Sequence, residues 1–219
     1  MLPGTSSFCV EVAGLDGDVL LDIVIGDSKF PRDQGDSLLH FNDPASPGTF
    51  TRQNLGLIAI DIAIGDVNND GLPDIITVSG DPHIILLLSD TTNTGTFNKQ
   101  VLPVTDVADG RPETVATGDM MNGDGLPDLI VGFYNEANYL YINDVNLPGS
   151  FTAPPTILPG EIHNTYDIAV TDMDSDGNKV RFDTSNCSFS YLYSNLYCCI
   201  RTLSTYDPKS NVDSLERIR

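Results

Sequence analysis

One feature limits this chain's fold more than any other: an acid-rich loop that returns at an almost constant stride. The loops are Gly14-Leu15-Asp16-Gly17-Asp18-Val19-Leu20-Leu21-Asp22, Asp66-Val67-Asn68-Asn69-Asp70-Gly71-Leu72-Pro73-Asp74, Asp119 through Asp128, and Asp172 through Val180. They begin at residues 14, 66, 119 and 172, so the intervals are 52, 53 and 53. The flanks repeat too. A short alternating stretch precedes each loop (Val10-Glu11-Val12, Ile62-Ala63-Ile64, Val115-Ala116-Thr117, Ile168-Ala169-Val170), and a β-branched run follows three of them. A third apolar stretch comes next, then a fourth marked by Gly48-Thr49-Phe50, Gly95-Thr96-Phe97 and Gly149-Ser150-Phe151.

Each unit is therefore four short strand-like runs joined by turns. No segment sustains a helical period. Four strands per unit at about 50 residues per unit is the pattern of a β-propeller blade. The expected fold is all-β: a partial propeller of about four four-stranded blades, three whole and one incomplete. The acids support this reading. Of 31, 26 are Asp and 5 are Glu, which favours turns over helical surfaces. The 19 Gly and 14 Pro add punctuation for many short strands.

Charge narrows the function. Eleven Lys+Arg leave a formal net charge of -20, so no nucleic-acid partner is expected, because a phosphate backbone needs a basic patch. No apolar run reaches the roughly 18 residues of a spanning helix, so no membrane span is expected. Met1-Leu2-Pro3-Gly4 lacks a basic region followed by an apolar stretch, and no signal peptide is read in this chain.

The loop at 66–74 carries the chemistry. Asp66, Asn68, Asp70 and Asp74 stand at positions 1, 3, 5 and 9, and Gly71 at position 6 permits a sharp bend. The Leu72 carbonyl at position 7 can add a backbone oxygen. Five hard oxygen donors with no Cys or His suit Ca²⁺ and disfavour Zn²⁺. An EF-hand needs an acid at position 12 and flanking helices; position 12 is Thr77, inside a β-branched run. The other loops depart from the pattern. The first keeps Asp16, Asp18 and Asp22, with Gly14 in place of the leading acid. The third holds Asp119, Asn122, Asp124, Leu126 and Asp128 with one residue too many, so Asp119 must reach across a bulge or lose its place. The fourth holds Asp172, Asp174 and Asp176 but ends on Val180. The second site is expected to be the strongest, and for the rest an Asp/Gly turn without metal is the competing reading.

These segments resemble the FG-GAP/VCBS repeats of integrin α-subunit-like propellers over residues 8–180. The resemblance implies Ca²⁺ in the loop between a blade's first and second strands. It also implies an extracellular or cell-surface scaffold serving adhesion or ligand binding, without catalysis. Such propellers usually have about seven blades, and strand-like residues already appear at Phe8. The chain is therefore expected to be a fragment that opens within a blade, with blade faces exposed to self-association. Residues 181–219 lack Gly and any blade pattern and hold three of the four cysteines, so they read as a non-repeat tail, disordered or foreign to the fold.

No catalytic constellation stands out. His40, His83 and His163 are scattered at unequal positions, and no Gly-x-Ser-x-Gly or phosphate loop appears. A carbohydrate-binding propeller, or the accessory module of a glycan-active enzyme, is the alternative. For it, Tyr134, Asn135 and Asn138, in the turn after the third unit's second strand, would be the contacts. The protein or glycan ligand is not named by the sequence.

Overall fold

The computed structural model describes residues 7–27, 35–79, 83–104, 110–120, 123–151, 154–158, 164–171, 180–185, 204–205 and 214–215. All regular structure among them is β, in four sheets of four strands. The first sheet is β1 (Ser7–Ala13), β2 (Asp22–Asp27), β3 (Leu38–Asn42) and β4 (Phe50–Asn54). The second is β5 (Asp61–Gly65), β6 (Asp74–Val78), β7 (His83–Ser89) and β8 (Phe97–Pro103). The third is β9 (Arg111–Gly118), β10 (Asp128–Tyr134), β11 (Tyr139–Tyr141) and β12 (Thr156–Ile157). The fourth is β13 (Thr165–Thr171), β14 (Val180–Ser185), β15 (Ser204–Thr205) and β16 (Ser214–Leu215). Strands within each sheet follow chain order and pair antiparallel, as in a meander.

The first sheet, like the others, holds four strands. Where the sequence places a tail from residue 181, the structure puts 181–185, 204–205 and 214–215 into the fourth sheet, whose last two strands are two residues each. No sheet closes on itself, and the array is a partial propeller.

Register sets the blade seams. Gly65 pairs with Asp74, Ala13 with Asp22, and Gly118 with Asp128, so each acid loop spans the same corner of its sheet. Period-2 alternation sends one face of a strand forward and the other back. Ile62, Ile75 and Leu87 pack back onto Leu15, Val24 and Leu39 of the first blade. Ala63, Ile76 and Leu86 pack forward with Val115, Leu129, Phe133 and Tyr141 of the third. Strand β6 is buried along its whole length, which explains its continuous β-branched run. At about 1.5–3 kcal/mol per fully buried large apolar side chain, these seams are the main favourable term.

Close blade approach depends on missing side chains. A Cβ on Gly132 would lie 2.6 Å from Thr114 Cγ2, 2.7 Å from Thr165 Cγ2 and 3.0 Å from Ile168 Cδ1. The third and fourth blades therefore meet only because this residue has none.

Candidate metal centre

The second loop is built from Asx turns. The Asp70 amide donates to Asn68 Oδ1 (3.1 Å) and to Asp66 Oδ1 (3.0 Å), and the Gly71 amide donates to Asp66 Oδ2 (2.9 Å). The Leu72 amide donates to Asp70 Oδ1 (2.9 Å), and Asn68 Nδ2 donates to Asp70 Oδ2 (2.9 Å). Short polar side chains bond their own backbone two residues on, which is why Asp and Asn hold these positions. Asn69 and Gly71 take positive φ, 57° and 89°. Asn tolerates that region and Gly enters it freely.

The first and third loops repeat the pattern. The Asp18 amide donates to Asp16 Oδ1 and the Leu20 amide to Asp18 Oδ1. In the third, Asp119 keeps its place. Its Oδ1 accepts from the Gly123 amide (3.1 Å) and its Oδ2 from the Gly125 amide (2.9 Å), while the Leu126 amide donates to Asp124 Oδ1. The extra residue is absorbed by reaching six residues on, where Asp66 reaches five. Asn122, Asp172, Asp174 and Asp176 lie outside the described residues.

The acid at position 9 does something the sequence did not reveal. Asp22, Asp74 and Asp128 are the strand-starting acids, and each is fully buried. Asp74 Oδ2 accepts from the Val67 amide (2.9 Å) and Oδ1 from the Ser89 amide (2.8 Å). Asp22 accepts from Leu15 and Asn42, and Asp128 from Met120 and Asn143, atom for atom the same way. One carboxylate thus ties the start of the loop to the end of the third strand. A signal for this brace was present: a polar residue precedes an Asp at Asn42-Asp43, Ser89-Asp90 and Asn143-Asp144, five residues before Gly48, Gly95 and Gly149.

The next blade covers the loop. Gly95, in the turn between β7 and β8, sits where a Cβ would lie 3.5 Å from Asp16 Cβ, and Gly149 sits where one would lie 3.1 Å from Asn68 Cβ. Asn143 Nδ2 donates to Val67 O (2.7 Å) and to Pro127 O (3.0 Å), joining two blades' loops through one amide. The loops are therefore parts of the seams.

Charge accumulates there. Burial pushes the Asp74 carboxyl up to about 6, and the nearby Asp70 charge adds to it against the amides that lower it. Burial also raises Asp16, with the Asp22 and Asp18 charges contributing. Asp18 Oδ2 is buried and accepts no hydrogen bond. Among the described residues, no three His, Cys, Asp or Glu side chains converge closely enough to form a metal site. The donor set is nonetheless all oxygen, and a carboxylate oxygen that accepts one N–H keeps a second lone pair. Positions 1, 3 and 5 fit a hard cation in chemistry, and the orphaned Asp18 oxygen is the atom most in need of one. The position-9 acids are already engaged by two amides each.

The alternative ligand surface is less open. Tyr134 is exposed, but the Arg111 guanidinium lies 5.1 Å from its ring centroid and covers one face. Asn138 Oδ1 accepts from the Phe133 amide, and the Asn135 amide donates to Asn164 Oδ1. His40 meets Phe50 edge to face, His83 is exposed on β7, and His163 lies outside the described residues.

Residues 121–179 match the FG-GAP-like repeat family. No curated protein matches the chain. A solved structure, described as the crystal structure of BBS1N in complex with ARL6DN soaked with lead, is similar at 18% identity with a TM-score of 0.53. The match covers 82% of this chain and 50% of that one, so the chain spans half the length of its solved neighbour. At that identity the likeness shows the fold, a β-propeller, and the chain is a propeller scaffold carrying an FG-GAP-like repeat.

Proposed function

We propose that this scaffold takes up Ca²⁺ in its Asp-rich loops, that the ion stabilises the blade seams, and that the protein serves binding or adhesion without chemistry of its own. The observation that carries the reading is the buried Asp18 Oδ2, an acceptor with no donor, in a loop where burial raises the neighbouring Asp16 carboxyl. Burying such an oxygen unmatched is costly, and a divalent cation offsets the cost directly. Asp16 and Asp18 in the first loop, Asp66, Asn68, Asp70 and the Leu72 carbonyl in the second, and Asp119, Asp124 and the Leu126 carbonyl in the third are the residues that would hold it. Asp22, Asp74 and Asp128 would join only by sharing lone pairs with the amides they already accept.

The extracellular setting rests on the resemblance to FG-GAP/VCBS repeats; extracellular modules bind Ca²⁺ at about 10⁻⁴–10⁻³ M, and millimolar Ca²⁺ outside cells would fill loops in that range. With a dissociation constant near 10⁻⁴ M, millimolar Ca²⁺ adds about 1.4 kcal/mol per site. The carbohydrate-binding alternative gains less support, because Arg111 already covers one face of Tyr134.

The test is thermal unfolding of the full chain in 5 mM EDTA and in a few millimolar Ca²⁺, with Mg²⁺ as control. A rise of several degrees specific to Ca²⁺ is expected. Identical transitions in all three buffers would remove calcium from the account and leave the scaffold.

A further inference from the structure

The rim that carries the acid loops also carries the turns between each blade's third and fourth strands, and it shows large apolar side chains to solvent. Val145 is 59% exposed, Leu147 63% and Val19 97%. Nothing in the backbone requires them. The turn is built three times with the same bonds. The Asp43, Asp90 and Asp144 amides donate to the carbonyls of Thr49, Thr96 and Ser150, and the Ser46, Asn93 and Leu147 amides donate to the carbonyls of those same Asp residues. Where the third blade has Val145 and Leu147, the first has Pro44 and Ser46 and the second has Thr91 and Asn93. Thr91 and Asn93 are exposed although their blade has a neighbour on each side, so this turn faces solvent throughout the array. Val19 stands at loop position 6, where the second and third loops have Gly71 and Gly125. A Cβ on either glycine would meet nothing within 4 Å, so this place is open in those blades too.

Stacking sets these side chains among acids. The third blade's turn lies on the second loop: a Cβ on Gly149 would be 3.1 Å from Asn68 Cβ, and Asn143 Nδ2 donates to Val67 O. The second blade's turn lies likewise on the first loop, where a Cβ on Gly17 would be 3.4 Å from Thr94 Cγ2. Val145 and Leu147 thus belong to the turn that covers the Asp66–Asp70 loop, and Val19 lies one blade away on the same rim. The segments that make this rim, 13–22, 42–50, 65–74, 89–97, 118–120, 123–128 and 142–151, hold twelve Asp and no Lys, Arg or His. Asp22, Asp74 and Asp128 are the buried braces, and the other Asp side chains are partly or fully exposed. Exposed apolar side chains on a surface mark interaction, and a field of one sign selects the opposite charge. The complement to this rim is an apolar anchor flanked by Lys or Arg.

We infer that this rim docks a basic, apolar segment of a partner protein, with Val145 and Leu147 as the anchors at the corner of the second and third blades and Val19 extending the surface to the first. The inference gives a partner chemistry to the binding role proposed above and does not use calcium. The test is selection on the full chain from a displayed library of random peptides of about twelve residues, followed by fluorescence anisotropy with the selected peptides. It is run in EDTA and in about 2 mM Ca²⁺, and read in each buffer in which circular dichroism shows the β fold. The selected peptides combine Lys or Arg with Leu, Ile or Phe, and their affinity falls as salt rises from about 0.05 to 0.5 M. Val145→Ser together with Leu147→Ser keeps the charge and the turn, as Ser46 does in the first blade, and weakens binding by about tenfold or more. Val101→Ser, at an exposed position on β8 away from the rim, leaves binding unchanged. An unenriched library, selection of acidic or uncharged peptides, or an affinity that the Ser pair leaves unaltered would each overturn the inference. So would capture of phosphatidylserine vesicles in Ca²⁺ in place of peptides, which would give the rim to a membrane surface. Failure here beside a Ca²⁺-specific rise in melting temperature removes the partner and keeps the metal, and the reverse pair of results keeps the partner and removes the metal.

Discussion

Replacing Asp74 by Ala separates bracing from metal binding. The side chain is fully buried and accepts from two backbone amides, Val67 and Ser89, that come from opposite ends of the blade corner. Ala leaves both donors without an acceptor. At about 1–3 kcal/mol per buried unsatisfied group, the loss is about 2–6 kcal/mol. Relief from burying the carboxyl reduces it, so about 2–5 kcal/mol is expected, a large share of a total that is usually about 5–15 kcal/mol. Asp70→Ala, at an exposed position, should cost less than about 1 kcal/mol. Urea unfolding in EDTA measures both without a contribution from metal. The pH dependence provides a second readout. The Asp74 carboxyl is raised from 3.8 to about 6, so the folded state holds its proton longer than the unfolded state does. This group's contribution to stability therefore falls as pH rises from 3.8 to about 6, and Asp74→Ala should flatten that part of the profile. If Asp74→Ala costs less than about 1 kcal/mol in EDTA and more only in Ca²⁺, the brace is wrong and the acid is a ligand alone.

Two further outcomes follow from the seams. Asp61 accepts two hydrogen bonds from the next blade while burial raises its carboxyl, so Asp61→Asn, which keeps an acceptor without the charge, should hold or raise the melting temperature at pH 7. Asp61→Ala should lose about 1–3 kcal/mol by orphaning Thr114 Oγ1 and the Val115 amide, and paired thermal melts compare the two. Gly132→Ala should destabilise by about 1–3 kcal/mol in urea, because its Cβ overlaps Thr114, Thr165 and Ile168, and Gly71→Ala, in open space, should lose only its backbone strain of about 1–2 kcal/mol.

Local pattern made most of the fold legible. The stride of 52 or 53 residues, the alternating Ile62-Ala63-Ile64 and the β-branched run Asp74–Val78 placed strands β5 and β6 and their equivalents, because period-2 patterning and turn chemistry are written in neighbouring residues. Thr77, inside a buried strand, excluded the EF-hand for the reason the sequence offered. The aromatics Phe97 and Phe151 are packed into seams as their common register suggested, while Phe50 is exposed. The loops were legible as turns, but not in their division of labour. Asp66, Asn68 and Asp70 bond residues two to five positions away, a spacing a motif can show. Asp74 is defined by Ser89, fifteen residues on, and Asn143 by Val67, seventy-six residues back. Such partners are set by strand register and blade stacking, which a motif does not encode. The strand at Val180–Ser185 went unseen for a related reason: its sequence lacks the Asp-x-x-x-Asp frame that marked the other second strands, and only pairing with β13 identifies it.

Direct calcium titration of the full chain by isothermal calorimetry, beside the Asp66→Asn, Asp70→Asn and Asp18→Asn variants, tests the central claim. The account predicts saturable binding in the 10⁻⁴–10⁻³ M range that weakens in each variant while the fold is retained. No binding by the wild type up to about 10 mM Ca²⁺, or binding that all three substitutions leave unchanged, would contradict it.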